Sequence, residues 1–486
     1  MRRSAFSLLL LFFLFTILLA SCYRLRKSNG GGQINSVSAR AVNAADVAVH
    51  PGYKIETVAT GLTFPTAATT DEEGRLYVIE AGYSYGEIFL EPRLLRVESN
   101  GGTTVITKGS KNGPWSGITY HNGAFYIAEG GILEGGRILR VTKTGETTAL
   151  ISNLPSYGDH HTNGPVVKDD YVYFGVGTAT NSGVVGVDNA EYGWLPRKRE
   201  FHDLPCKDLI LSGQNYTTPD VLTENENDAT TTGAFSPFGT PTTPGQLVKG
   251  VIPCTGAIMR IPVQGGQPEL VAWGFRNPFG LAIAPDGRLF ATENAFDNRG
   301  SRPVWGAGDV LWEIRPGMWY GWPDFSAGKP IANDEEFKVP EKEPVKALLQ
   351  QLPNQPPKPS AILGVHSSSN GLDFSRNNEF GFLGEAFVAQ FGDLAPKVGK
   401  VLAPVGYKIV RVDVSTGVVR DFATNKGARN GPATWLGRGG LERPVSVKFD
   451  AAGKALYVVD FGVMRVTDKG PEPLAASGVI WKITKK

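Results

Sequence analysis

At 486 residues the chain has room for two or three average domains or for one large all-β domain. Hydrophobic residues make up 41% and charged residues 20%, which supports a sizeable core and argues against global disorder. The formal net charge is only +2, and no basic stripe carries interleaved aromatics, so nothing electrostatic points to a nucleic-acid partner.

The N-terminus carries the first local signal. Arg2 and Arg3 precede an apolar run from Ala5 to Leu19, which has the length of a signal h-region and is short for a membrane-spanning helix. The run ends in Leu19-Ala20-Ser21-Cys22, which resembles a bacterial lipobox. Residues 1–22 are then a lipoprotein signal peptide with Cys22 as the lipidated residue. The other reading is an ordinary signal peptide with a coincidental cysteine. Two acyl chains on one cysteine suffice for stable anchoring, which places the protein outside the cytoplasm on a bacterial membrane, facing the periplasm or the outer surface. Residues 23–50 are read as a flexible tether: Tyr23 to about Asn43 is rich in Ser, Gly and Asn and shows no apolar period.

From residue 51 to the end one pattern recurs: a turn, a short alternating strand, a Gly or Asp turn, and an aromatic-rich strand that often ends in an acid. The copies are Pro65 to Glu80, Trp115 to Glu129, Asn163 to Gly177, Pro278 to Glu293, Asn370 to Gln390 and Pro444 to Asp460. Each reads as a hairpin with period-two alternation. The 60 Gly and 33 Pro suit short strands joined by many turns. Further strands follow several copies, at Arg137–Val141, Ala257–Ile261, Lys408–Val412 and Val479–Ile483. A repeated small sheet arranged about an axis is a propeller; the fold class is all-β, a six-bladed β-propeller. Two stretches break the period, near 188–256 and 326–360, and are expected as surface insertions between blades. The first contains Cys206 and Cys254, which are expected to pair in an oxidising compartment; two buried free thiols are the alternative. No Cys-x-x-Cys-His is present, so the chain carries no c-type haem of its own.

Gly274-Phe-Arg-Asn-Pro-Phe-Gly-Leu281, followed by Ala284 to Phe290, Thr292-Glu293 and Tyr320-Gly-Trp-Pro323, resembles the glucose/sorbosone dehydrogenase family of six-bladed propellers. Several members use pyrroloquinoline quinone (PQQ) and calcium. The resemblance implies oxidation of a sugar, aldose or sugar aldehyde outside the cytoplasm, with the electrons passed to a separate acceptor. It implies that Arg276 contacts the quinone oxygens and stabilises their charge, that Asn277 meets the cofactor edge, and that Arg443 is a further cofactor-binding arginine. Lys400 or Lys408 is considered as another cation. These types suit the chemistry, because PQQ bears three carboxylates and the arginine fork pairs bidentately with carboxylate. The family's catalytic histidine lies ahead of the third blade, three residues before a glycine. In Asp159-His160-His161-Thr-Asn-Gly164 this spacing points to His161 as the base, and His160 stays open.

Calcium would be held by Glu293, Asp297 and Asp309 as oxygen ligands. The chain departs from the family here: Ala295-Phe296 replaces a Gly-Pro segment, and Lys111 or Asn112 stands where the family has a glutamine. His366, entering the fifth blade, is a candidate polar group in the central funnel. Two other functions remain in view. One is a calcium-dependent lactonase-like hydrolase in which Glu293 and Asn277 hold the metal. The other is a non-catalytic binding propeller.

Overall fold

A computed structural model describes residues 40–84, 88–131, 134–191, 193–395, 401, 403–467 and 470–486. Six antiparallel sheets of at least four strands stand around one axis. From the axis outward the first blade is Pro65–Thr70, Leu76–Glu80, Arg93–Val97 and Thr103–Lys108. The second is Trp115–His121, Ala124–Glu129, Gly136–Thr142 and Thr147–Leu154. The third is Thr162–Lys168, Tyr171–Val176, Ala257–Pro262 and Glu269–Trp273. The fourth is Pro278–Ile283, Leu289–Glu293, Gly308–Glu313 and Ala361–Val365. The fifth is Ser369–Phe374, Ala386–Gln390, Lys408–Asp413 and Val418–Asn425. In the sixth, Pro444–Phe449, Ala455–Asp460 and Gly478–Lys485 are joined by the N-terminal strand Tyr53–Leu62, which closes the ring. Each innermost strand neighbours the next, and the sixth returns to the first. All six hairpins read from the sequence, and the four further strands, are present.

Local chemistry explains the hairpins. Asn122-Gly123 turns the second blade's first hairpin and Asp169-Asp170 the third's, all four residues at positive φ. Such two-residue turns match the right-handed twist of the strands, and Asn, Asp and Gly tolerate that conformation best. Aromatic residues of adjacent blades meet between the sheets. Tyr77 packs on Phe125 between the first and second blades, Phe290 on Phe374 between the fourth and fifth, and Phe387 on Phe449 between the fifth and sixth. The axial throat is narrow, about 50 Å³, and is lined by inner-strand residues such as Ser116, Gly164, Gly280, Gly371 and Ser446. At Gly117 a Cβ would lie 1.2 Å from the carbonyl oxygen of Gly164, so only glycine lets these two inner strands approach.

The recurring terminal acid acts as a buckle. Glu129 accepts hydrogen bonds from Trp115 Nε1 and Asn112 Nδ2. Glu293 accepts from the Arg276 amide and Trp312 Nε1. Asp460 accepts from the amides of Glu442 and Arg443 and from Trp481 Nε1. Each acid ties the turn entering its blade to the end of the second strand.

Two boundaries differ from the sequence reading. The insertions lie inside blades, not between them. Residues 177–256 join the second and third strands of the third blade, and residues 314–360 join the third and outer strands of the fourth. They share one apolar core that includes Leu209, Leu211, Phe235, Trp319, Trp322, Leu348 and Leu349, so each covers the other. Cys206 and Cys254 form a disulfide within the first insertion. The ordered chain also starts before Pro51. Val47–Val49 pairs with the edge of the fifth blade, and Arg40 forms a buried ion pair with Asp460. An unpaired strand edge gains partners this way, which is why residues 40–50 are not free tether. Cys22 lies outside the described residues.

Candidate functional site

The turns that enter the inner strands share one end of the propeller with the loops that follow the second strands. Three of these turns, with the segment 294–302, assemble a buried polar cluster. Arg276 sits at its centre. Its Nη2 pairs with Asp297 at 2.7 Å and donates to Asn181 Oδ1 at 2.9 Å, and its Nε donates to the Asn181 carbonyl at 3.1 Å. Asp297 also pairs with Arg299 at 3.2 Å and faces His366 Nδ1 at 3.5 Å. Arg299 reaches on to Asp159 and Asp188, each at 2.6 Å. Burial opposes ionisation of Asp297, but Arg276, His366 and Arg299 outweigh it and hold its carboxyl well below the usual range.

A line of amides connects the blades beside this cluster. Asn163 Nδ2 donates to Asn277 Oδ1 at 3.1 Å, Asn277 Nδ2 to Asn294 Oδ1 at 3.0 Å, and Asn294 Nδ2 to the Ser369 carbonyl at 3.0 Å. Third, fourth and fifth blades are thereby held in register at the site. His366 has φ of 55°, a left-handed conformation rare for a residue with Cβ.

The two histidines part company. His160 Nδ1 lies 2.9 Å from the Thr178 carbonyl and 3.0 Å from its hydroxyl. Burial lowers its pKa well below the ordinary value, with Arg276 and Arg299 adding to the effect. His161 instead stands edge-on to Trp194 of the first insertion, ring centroids 6.2 Å apart. Burial lowers its pKa to about 4, so it is a neutral imidazole near pH 7.

Arg443 lies between the fifth and sixth blades. Its Nη1 donates to the carbonyls of Gly392 and Asp393 at 3.2 and 3.1 Å. Phe391 and Tyr407 lie 5.0 and 5.1 Å from its guanidinium. The side chain is fully buried, and Nε and Nη2 make no hydrogen bond among the described residues, although the Asp393 carboxylate and the Tyr407 hydroxyl interact with the guanidinium. Those two atoms form the side-on fork that matches a carboxylate. His366 Nε2 and Asn370 Oδ1, near the axis, are likewise buried and without a partner. The Arg443 fork is a donor pair of the kind that suits a carboxylate, and Asn370 Oδ1 is an acceptor.

Calcium is a different matter. Glu293 spends its oxygens on the Arg276 amide and Trp312, and Asp309 receives the amides of Ala295 and Ser369 and the Ser367 hydroxyl. Asp297 is committed to two arginines. Among the described residues no three His, Cys, Asp or Glu converge with the geometry of a metal site. The oxygens of Glu293, Asp297 and Asp309 are thus engaged by donors of the fold, as is Asn277 Oδ1 by Asn163, and a metal held there would have to share or displace these donors. Lys408 is in the third strand of the fifth blade, paired with Asp421 at 2.7 Å. Lys400 lies outside the described residues. Asn181, Arg299, Asp159 and Asp188 had gone unnoticed as partners in the sequence, because three of them belong to irregular segments with no period.

Residues 255–367 match the family model described as Glucose / Sorbosone dehydrogenase, the stretch that carries the motifs around Arg276 and Tyr320. Among solved structures, the chain is similar to the holo form of the PQQ domain of a pyranose dehydrogenase from Coprinopsis cinerea, at 15% identity and TM-score 0.53, covering 94% of this chain and 98% of that one. It is similar to a Trichoderma reesei carbohydrate-active enzyme of family AA12 in a calcium structure, at 17% identity and TM-score 0.51, covering 93% and 100%. It is also similar to the soluble aldose sugar dehydrogenase of Escherichia coli in its apo form, at 14% identity and TM-score 0.52, covering 89% and 100%. At these identities the likeness speaks for the six-bladed fold. No curated protein matches the chain.

Proposed function

We propose that this propeller is a PQQ-dependent dehydrogenase that oxidises a sugar, aldose or sugar aldehyde outside the cytoplasm. One observation carries the reading: the fully buried guanidinium of Arg443, whose Nε–Nη2 fork makes no hydrogen bond among the described residues. Buried N–H groups left without an acceptor are costly, and a cofactor carboxylate would accept from this fork, beside the Asp393 carboxylate and Tyr407 hydroxyl already near the guanidinium. The family match over residues 255–367 supports a sugar dehydrogenase, and the likeness to the holo PQQ domain of the Coprinopsis cinerea pyranose dehydrogenase is in keeping with this cofactor.

Arg443 would hold a cofactor carboxylate, and His366 Nε2 and Asn370 Oδ1 would meet polar edges nearer the axis. When bound, the quinone supplies the two-electron acceptor for the substrate's hydride. The chain's own residues do the rest. His161, neutral near pH 7 because desolvation lowers its pKa, accepts the substrate hydroxyl proton on a ring nitrogen. Arg276 holds a fixed positive charge, oriented by Asp297 and Asn181 so that it needs no rearrangement during reaction. His160, tied to Thr178, positions the turn that presents His161.

The electrons then leave through a separate acceptor. Cys22 anchors the chain to a bacterial membrane in this reading, on the periplasmic or outer side; among the described residues no helix is long and apolar enough to cross one. The test is addition of PQQ to the purified protein, followed by absorbance and by dye-linked oxidation of a panel of aldoses. Saturable PQQ binding with turnover, both lost in Arg443→Ala, is the expected result. Absence of any PQQ-induced spectral change overturns the proposal.

A further inference from the structure

Arg40 stands at the same end of the propeller as the buried polar cluster. Its Nη1 donates to the Ser477 carbonyl at 2.6 Å and its Nη2 to the Gly440 carbonyl at 3.1 Å, beside the ion pair with Asp460. Gly440 belongs to the turn entering the sixth inner strand, and Ser477 to the loop that follows that blade's second strand. The Asn43 amide donates to the Gly439 carbonyl at 2.7 Å, and the Lys426 amide to the Asp46 carbonyl at 2.8 Å, so residues 40–46 run alongside 426–439. Seventeen residues separate Cys22 from Arg40, a reach of about 60 Å at full stretch. With Cys22 as the lipid anchor, this end of the propeller is the one brought to the bilayer.

The loop alongside has a marked composition. Between Lys426 and Arg438 it carries three cations, Lys426, Arg429 and Arg438, and no Asp or Glu. The three cations are exposed, and Trp435 and Leu436 are half-buried. The acids that face the loop are engaged within the fold. Asp46 accepts the Gly439 amide at 2.8 Å and pairs with Arg438 at 3.4 Å, while Glu442 is buried and accepts the Thr434 amide at 2.7 Å. The amides of Trp435, Leu436, Gly437 and Arg438 bond back to the carbonyls of Pro432, Ala433 and Thr434, which coils this part of the loop into a fixed shape. The indole rests against Tyr407, ring centroids 5.9 Å apart. Val42 and Leu474 add exposed apolar side chains near Arg40.

Cations interleaved with a half-exposed indole suit a layer of anionic lipid headgroups. Lys and Arg are drawn to its negative surface potential, and Trp favours the boundary between headgroups and acyl chains. An acidic protein would also meet the cations, but only a lipid partner explains why the anchored segment enters the fold beside them. We propose that the loop 426–438 docks the fifth and sixth blades on anionic lipid headgroups and so turns the site end of the propeller toward the bilayer. The orientation rests on the reading of Cys22 as a lipid anchor; the lipid contact rests on the loop itself.

The test uses the full chain, exported, purified from membranes and placed in vesicles of phosphatidylethanolamine and phosphatidylglycerol in equal parts. A fluorophore is attached through Ala428→Cys in the loop or through Ala451→Cys in the turn at the opposite end of the sixth blade; both alanines are exposed. A nitroxide on the lipid headgroup should quench the label at 428 strongly and the label at 451 little. Lys426→Glu/Arg429→Glu should bring the quenching at 428 down to the level at 451 with little change in Tm, since both side chains are exposed. Replacing phosphatidylglycerol by phosphatidylcholine should do the same to the unsubstituted loop, which decides the matter should the double variant fail to fold. Equal quenching at the two positions overturns the proposal. So does quenching at 428 that ignores both the loop's charge and the lipid's, which would leave the cations to an acidic protein. The mass of the N-terminal peptide reports acylation of Cys22 separately. If no acyl chain is found the anchor reading falls, and sedimentation of the protein with the same vesicles decides the loop's role: binding lost in Lys426→Glu/Arg429→Glu upholds it, and no binding overturns it.

Discussion

His161 has an environment whose consequence can be measured. Desolvation lowers its pKa to about 4, outweighing the backbone hydrogen bond with Ser156 that raises it. In the unfolded chain the same group titrates near 6.5. The folded protein therefore binds this proton later than the unfolded chain as pH falls, and the associated stability is lost progressively from about pH 6.5 down to about 4. For catalysis the sign is the opposite of a burden: the base stays free well below neutrality. In the proposed reaction the acid limb of kcat/KM should fall near pH 4, and His161→Ala should reduce kcat by about 10²–10⁴-fold, the range of general-base catalysis. A pH–rate profile of wild-type enzyme checks this, and a limb near 6.5 would show that an exposed histidine is the base. His160 is the natural comparison, since its Nδ1 is tied to Thr178. Its replacement by Ala should lower Tm as well as rate.

At the scale of elements, the first insertion depends on a staple. The Cys206–Cys254 bridge closes a separation of 48 residues around strands too short to hold each other. In the chain-entropy model a loop of that length is worth about 4 kcal/mol. Cys206→Ser/Cys254→Ser should lower Tm and expose residues between the two positions to limited proteolysis, which mass spectrometry of the fragments would show. The blades around this insertion were legible because period-two alternation and turn residues act locally, as at Asn122-Gly123. The insertions were not placed correctly because their apolar residues lack a period and are satisfied by each other across the chain: Ser212 N bonds the Leu348 carbonyl, and Arg302 bonds Lys346 and Asp324. The site divides along the same line. Arg276 and Asn277 stood out through their motif, whereas Asn181 and Arg299 reach them only through the fold. Glu293 has a structural role that comparison of the copies makes legible, since it accepts from the Arg276 amide and Trp312. The same strand-end acid meets a tryptophan in the second and sixth blades, through Glu129–Trp115 and Asp460–Trp481.

At the scale of the molecule, ring closure and function meet at Asp460. This carboxylate takes the amides of Glu442 and Arg443, the indole of Trp481, and the guanidinium of Arg40. Arg40 is 420 residues away in sequence, and its Nη1 also bonds the Ser477 carbonyl. Its side chain is 4% exposed and that of Asp460 is 0%, so the pair is a buried one. Removing one partner of a buried pair typically costs 3–5 kcal/mol, because the other charge is left stranded. Arg40→Ala should therefore lower Tm clearly in a thermal melt. Arg438→Ala should change it little, since Arg438 is 44% exposed in its pair with Asp46 and such surface pairs contribute about 0–1 kcal/mol. A chain beginning at Pro51 should be less stable than one beginning at Arg40, having lost both the ion pair and the strand Val47–Val49 on the fifth blade. Because Asp460 also fixes the backbone of Arg443, Arg40→Ala should weaken PQQ binding although Arg40 does not touch the Arg443 fork. Equal melts for wild type and Arg40→Ala would refute the latch. Lower stability with unchanged PQQ affinity would confine its role to closing the ring.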